Sequence, residues 1–152
     1  VNKGSHAPEA FKTGDSVNLF AGNARVLLTS LNGKSTAVVY KPQGPGEKRY
    51  VFKSPVRETS FQYVKEEPAI QWQAAPGQGQ YTVVATIPWA VLDVKSSAGM
   101  KLKGDIGILF GDDTGARTAQ RVQWADKETN VVNDLPTEAE FSAVRWGDWT
   151  LQ

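Results

Sequence analysis

Between Lys101 and Trp124 the chain reads KLKGDIGILFGDDTGARTAQRVQW, a stretch few kinds of fold can use. A polar approach, Lys101 to Asp105, leads into an apolar run, Ile106 to Phe110, with Gly107 inside it. Gly111-Asp112-Asp113-Thr114-Gly115 supplies turn residues, and Thr118 to Trp124 follows in loose alternation. Short runs bounded by Gly and Asp are strands joined by a loop. A glycine within a strand marks a bulge or the close approach of another group. The expectation is a hairpin that crosses the middle of a sheet and carries an acidic loop at one end.

The rest of the chain is punctuated in the same way. Ser16 to Phe20, Arg25 to Leu31 and Thr36 to Tyr40 read as strands. Asn32-Gly33 joins the last two, because a tight I′ turn needs positive φ twice and this pair tolerates it. Pro42, Gly44, Pro45 and Gly46 make Lys41 to Lys48 a loop. Shorter strands are expected at Tyr50 to Phe52, Thr59 to Val64 and Ala69 to Gln73, with a turn at Pro76 to Gly79. Tyr81 to Ile87 alternates, with Tyr81, Val83, Ala85 and Ile87 on one face. Pro88 stops that strand and presets a helical turn over Trp89 to Val94. A further turn of helix is expected at Pro136 to Glu140, and a last strand with a Gly kink at Trp146 to Leu151. Nine or ten short strands at this spacing predict an all-β protein, a sandwich or a barrel. No linker divides the chain, so residues 1–152 read as one domain.

Composition narrows the function. Hydrophobic residues make up 40% and charged residues 22%, which fits a folded domain and not a disordered one. The net charge is +1 and no basic stripe is present, so nucleic acid is not an expected partner. No apolar run is long enough to span a membrane as a helix. There are no cysteines, which excludes disulfides, thiolate metal sites and Cys nucleophiles. With His6 the single histidine, a multi-His metal site is impossible.

Five stretches taken together resemble a known family. They are TGDSVNLF (Thr13 to Phe20), YTVVATIPWAVL (Tyr81 to Leu92), LKGDIGILFGDDTGARTAQRVQW (Leu102 to Trp124), VNDLPTEAEF (Val132 to Phe141) and WGDWTL (Trp146 to Leu151). In this order they are similar to the family 9 carbohydrate-binding modules and their sugar-binding relatives in the DOMON-like superfamily. The resemblance runs from about Thr13 to the end of the chain. It implies an antiparallel β-sandwich of two sheets, immunoglobulin-like in architecture. It also implies secretion, structural calcium in several members, and sugar held between aromatic side chains. Domains of this type begin with additional strands, whereas only about a dozen residues precede Thr13 here. Either the domain is incomplete, leaving a sheet edge or face uncovered, or the N-terminal loop replaces those strands.

Against this background the candidate residues can be weighed. Tryptophans lie at 72, 89, 124, 146 and 149. Packing accounts for Trp89, Trp146 and Trp149, since Trp is a large hydrophobe with one polar handle. Trp124 differs, because Arg121, Gln123 and Asp126 surround it in sequence; these four residues are the expected sugar site. Strict alternation would put Arg121 and Gln123 on one face and Val122 and Trp124 on the other. Trp124 would then be core and its polar neighbours solvated, unless a bulge or a strand end makes both faces reachable.

Asp112, Asp113 and Asp105 form the expected calcium site, because turns deliver carboxylates and carbonyls together; an ordinary solvated turn is the competing reading. Asp134, Glu138 and Glu140 are a weaker acidic cluster, explained by a helix N-terminus. No pair of carboxylates stands out as a glycosidase would require. Haem would need an axial ligand, and only Met100 and His6 are available. The resulting expectation is a secreted or periplasmic, non-catalytic carbohydrate-binding module for polysaccharide or oligosaccharide, a covalent part of a larger carbohydrate-active protein. The alternatives are a haem-binding electron-transfer domain and a ligand-free structural domain.

Overall fold

A computed structural model describes residues 7–12, 14–45, 48–55, 57–115, 117–127 and 143–152. Within them lie β1 (Ser16–Ala21), β2 (Ala24–Leu31), β3 (Lys34–Lys41), β4 (Tyr50–Lys53), β5 (Glu58–Phe61) and β6 (Tyr63–Glu66). The remaining strands are β7 (Gln71–Gly77), β8 (Gln80–Thr86), β9 (Lys101–Gly111), β10 (Thr118–Gln123) and β11 (Gly147–Thr150). Helical structure among the described residues is limited to short 3₁₀ turns at Ala7–Lys12, Trp89–Leu92 and Ala143–Arg145. The fold is all-β and antiparallel. The helical turn expected at Pro136 to Glu140 lies outside the described residues.

Seven strands form one sheet in the order β10-β9-β1-β2-β3-β6, with β11 also paired to β9. The β4–β5 and β7–β8 hairpins stand apart from it. β9 is long enough to take two neighbours on one side: β10 along Gly107–Gly111 and β11 along Lys101–Gly104. The hairpin of β9 and β10 therefore borders the sheet and does not cross its middle, which β1, β2 and β3 occupy. The strand expected over Thr59 to Val64 is broken at Gln62. Its first part pairs with β4 and its second with β3.

Alternation along these strands gives the sheet two faces. One carries Leu27, Val38 and Tyr40, covered by Phe11 from the first 3₁₀ turn and by Phe52 and Phe61 from the β4–β5 hairpin. The rings meet edge to face, Phe11 with Tyr40 at 5.7 Å and Phe11 with Phe52 at 5.0 Å. Arg25 lies among them, 1% exposed. Its guanidinium is 4.9 Å from the Phe11 ring centre, 5.4 Å from Phe20 and 5.6 Å from Tyr40. Its Nε donates to Asn18 Oδ1 at 2.8 Å. A buried charge is costly unless its donors are satisfied and its field is answered, and the ring faces answer it.

The opposite face carries Val26, Leu28 and Val39, packed against Ile70, Leu92, Trp72 and Val83 from the β7–β8 hairpin and its flanks. β2 is thus covered on both sides, and it is buried along nearly its whole length. The cover does not extend over β9 and β10, where Ile106 and Val122 on this face are 44% and 46% exposed.

Burial pushes the Tyr40 hydroxyl well above the usual tyrosine range, with the Arg25 charge acting the other way. A group whose pKa is raised by folding stabilises the protein below its unfolded value, about pH 10 for tyrosine, and loses that contribution as pH rises through the folded one. Urea midpoints should therefore fall above about pH 10, in step with tyrosinate absorbance. Tyr40→Phe should flatten that fall; an unchanged slope would assign the alkaline loss to other groups.

Candidate functional site

The border of the sheet is organised by one carboxylate. Pairing of β10 with β9 ends at Gln123 opposite Gly107, and pairing of β11 starts at Gly147 opposite Gly104. Asp105, fully buried, fills the interval. Its Oδ1 accepts from the backbone amides of Ile106 at 2.9 Å and Ala125 at 2.8 Å, and its Oδ2 from that of Asp126 at 3.0 Å. The Trp124 amide donates to the Ile106 carbonyl at 2.8 Å. One side chain thereby stands in for a missing length of ladder and fixes the turn 124–126. Asp126 is buried in its turn, and its Oδ2 accepts from Arg145 Nε at 2.9 Å.

Alternation in β10 is strict after the register shift between Thr118 and Gln120. Its sense is the reverse of the core-and-solvent reading. Arg121, opposite Leu109, is 8% exposed, while Val122 and Trp124 are 46% and 55% exposed. Gln123 leans over Gly107, where a Cβ would sit 3.0 Å from its Cγ; this is the close approach that the glycine signals. Lys127 Nζ donates to the Gln123 carbonyl at 2.8 Å. Of the four residues expected to form a sugar site, only Trp124 presents itself on the open face. Arg121 and Gln123 point to the other side of the sheet, and Asp126 is engaged with Arg145.

The Trp124 ring rests on Gly147, where a side chain would collide with it. Trp149 does the same at Gly104, its ring 2.7 Å from where a Cβ would stand. The paired glycines, on neighbouring strands, thus seat two indoles on one face. Trp149 is partly buried against the core and Trp124 is open. Trp146 packs as expected, 6% exposed and 5.6 Å from the Phe20 ring. Trp89 is 40% exposed.

From Trp124 the open face continues along β9 through Ile106 and Ile108 to Phe110. There it meets a groove of about 330 Å³ between the sheet and the β7–β8 hairpin. Val17 and Phe110 form one wall, Trp72, Tyr81 and Val83 the other, and Asp15 and Ser30 a polar margin. Burial, and next the Asp15 carboxylate, push the Tyr81 hydroxyl up from its ordinary value. Sequence reasoning did not single out Tyr81, Phe110, Ile106 or Val122 as surface residues. The parity of Trp124 with Ile106 across the hairpin is the signal that would have found them.

The carboxylates of the expected calcium site are not brought together. Six steps along the strand take Asp105 to Gly111, about 20 Å, and the Asp105 oxygens are occupied by amides. At the loop, Asp112 Oδ1 accepts from Thr114 Oγ1 at 2.7 Å, and the Asp112 carbonyl accepts from the Gly115 amide at 3.0 Å. Asp113 is exposed. Among the described residues, no three or more His, Asp or Glu side chains are grouped to hold a metal. Met100 is partly buried just before β9, and His6, Asp134, Glu138 and Glu140 lie outside the described residues. No described helix is long and apolar enough to cross a membrane.

Asp105→Asn puts an amide nitrogen against a backbone donor and should destabilise the fold by about 2–3 kcal/mol, read from denaturant midpoints. Trp124→Ala should cost no more than about 1 kcal/mol, as for a surface position; a loss of 3–5 kcal/mol would place the indole in the core. Comparison with protein-family models, with curated proteins and with solved structures finds no match to this chain.

Proposed function

We propose that this chain is a non-catalytic carbohydrate-binding module, a β-sandwich in which the main sheet packs against the β4–β5 hairpin on one face and the β7–β8 hairpin on the other. The observation that carries this reading is Trp124, a tryptophan 55% exposed and laid against glycine backbone on an open sheet face. An aromatic plane of this kind can stack on the apolar C–H face of a sugar ring, and both surfaces leave water when it does. The resemblance of the Thr13 to Leu151 motifs to sugar-binding modules points the same way. On this reading the protein is secreted or periplasmic and serves a larger carbohydrate-active protein by holding polysaccharide near it. The sugar contacts centre on Trp124 and the residues of its own face, with Arg121, Gln123 and Asp126 in supporting positions behind it.

A glycan array should show binding by the wild type, and Trp124→Ala should abolish it with the melting midpoint nearly unchanged. An array with no signal, or a variant that binds as well as the wild type, would remove sugar binding from Trp124. The same proposal includes calcium at the turn of Asp112 and Asp113, supported by their adjacent carboxylates and without Asp105. Metal that binds only the folded state raises stability by mass action. The melting midpoint should therefore rise in millimolar calcium and return with excess chelator. Equal midpoints would take the metal out of the proposal.

A further inference from the structure

Resting on the sugar-binding reading, we propose that the ligand is an internal stretch of an extended, uncharged glycan. It would lie along β9 from Trp124 to a second subsite in the Tyr81–Phe110 groove. Three features of the open face lead to this occupant. The first is length. Phe110 stands four residues from Ile106, the residue beside Trp124, so the aromatic ends of the strip are about 13 Å apart, more than one sugar ring spans. The two ends lie on one uninterrupted floor, Ile106, Ile108 and Phe110, where alternate residues of a strand share a face.

The second is charge. The side chains that this stretch of β9 and its partner β10 turn to the face are Ile106, Ile108, Phe110, Gln120, Val122 and Trp124, none of them charged. Polar groups stand at the groove end, where Tyr81 lies close enough to the Asp15 carboxylate to feel it, and Ser30 lines the margin. An apolar floor with hydroxyl and carboxylate groups at its margin matches a neutral sugar chain, whose rings are apolar on their faces and polar at their edges. It does not match an acidic or basic polymer.

The third is size. Two strands wide and five residues long, the strip covers about 10 by 17 Å. That is far below the roughly 800 Å² per partner of a stable protein interface, so a second copy of the chain or another protein is the poorer fit. A slender chain ligand suits it, and among the described residues Trp124 stands open at its end of the strip, 55% exposed.

The test is calorimetric titration with cello-, xylo- and manno-oligosaccharides from the dimer to the hexamer, using whichever series the wild type binds. Affinity should rise by about tenfold or more with length, which is the yield of one further good contact. Tyr81→Ala should remove that rise and leave the dimer's affinity in place, while Tyr81→Phe keeps most of it. Trp124→Ala should remove binding at every length. Tyr81 is 45% exposed, and melting curves of its variants verify that they fold. Affinity independent of length, or a hexamer indifferent to Tyr81→Ala, would overturn the extended site while leaving sugar binding at Trp124 intact. Absence of binding by every series would overturn both.

Discussion

The architecture at the edge of the sheet depends on the hydrogen bonds of the Asp105 carboxylate. β9 is a strand with two partners on one side, and such an arrangement leaves a gap where the first ends and the second starts. Backbone groups in a buried gap need partners. Asp105 supplies them by accepting from three amides, two of them in the turn that follows β10. The turn is held close enough for β11 to bring Gly147 under the Trp124 ring. The position of the exposed tryptophan is thus a consequence of a buried carboxylate on the other side of the same strand.

The two faces of the sheet solve different problems with the same alternation. On the Tyr40 side a charged residue, Arg25, is enclosed by rings and by Asn18, and the hairpin above it closes the layer with aromatic edges. On the Trp124 side the cover mixes Trp72 with aliphatic residues and is partial. Packing is complete where β2 and β3 need it. Where β9 and β10 turn Ile106 and Val122 outward, those side chains stay 44% and 46% exposed.

Much of this was legible in the sequence because it depends on local chemistry. Asn32 and Gly33 adopt φ of 52° and 79°, the mirror-image turn that the pair announces. Val83 and Ile87 pack on the core as the alternation of their strand requires. The site was less legible, because alternation tells which residues share a face but not which face is covered. Arg121 looks solvated and Trp124 looks buried on side-chain character alone. The structure reverses them, since β10 is an edge strand whose long polar residues fold inward against Leu109 and Gly107. Asp105 resembles a metal ligand for a similar reason: the amides that occupy it come from a turn far along the chain. Gly147, readable as a kink, serves as the seat of a ring.

That seat bears on what recognition costs. A flexible side chain that must be immobilised on binding gives up about 0.5–1.5 kcal/mol of conformational freedom. The Trp124 indole lies against the Gly147 backbone, which narrows the orientations open to the ring. Part of the free energy of ordering this ring is therefore spent in folding. One glycine, Gly147, leaves the room in which a protruding aromatic ring can lie flat against backbone.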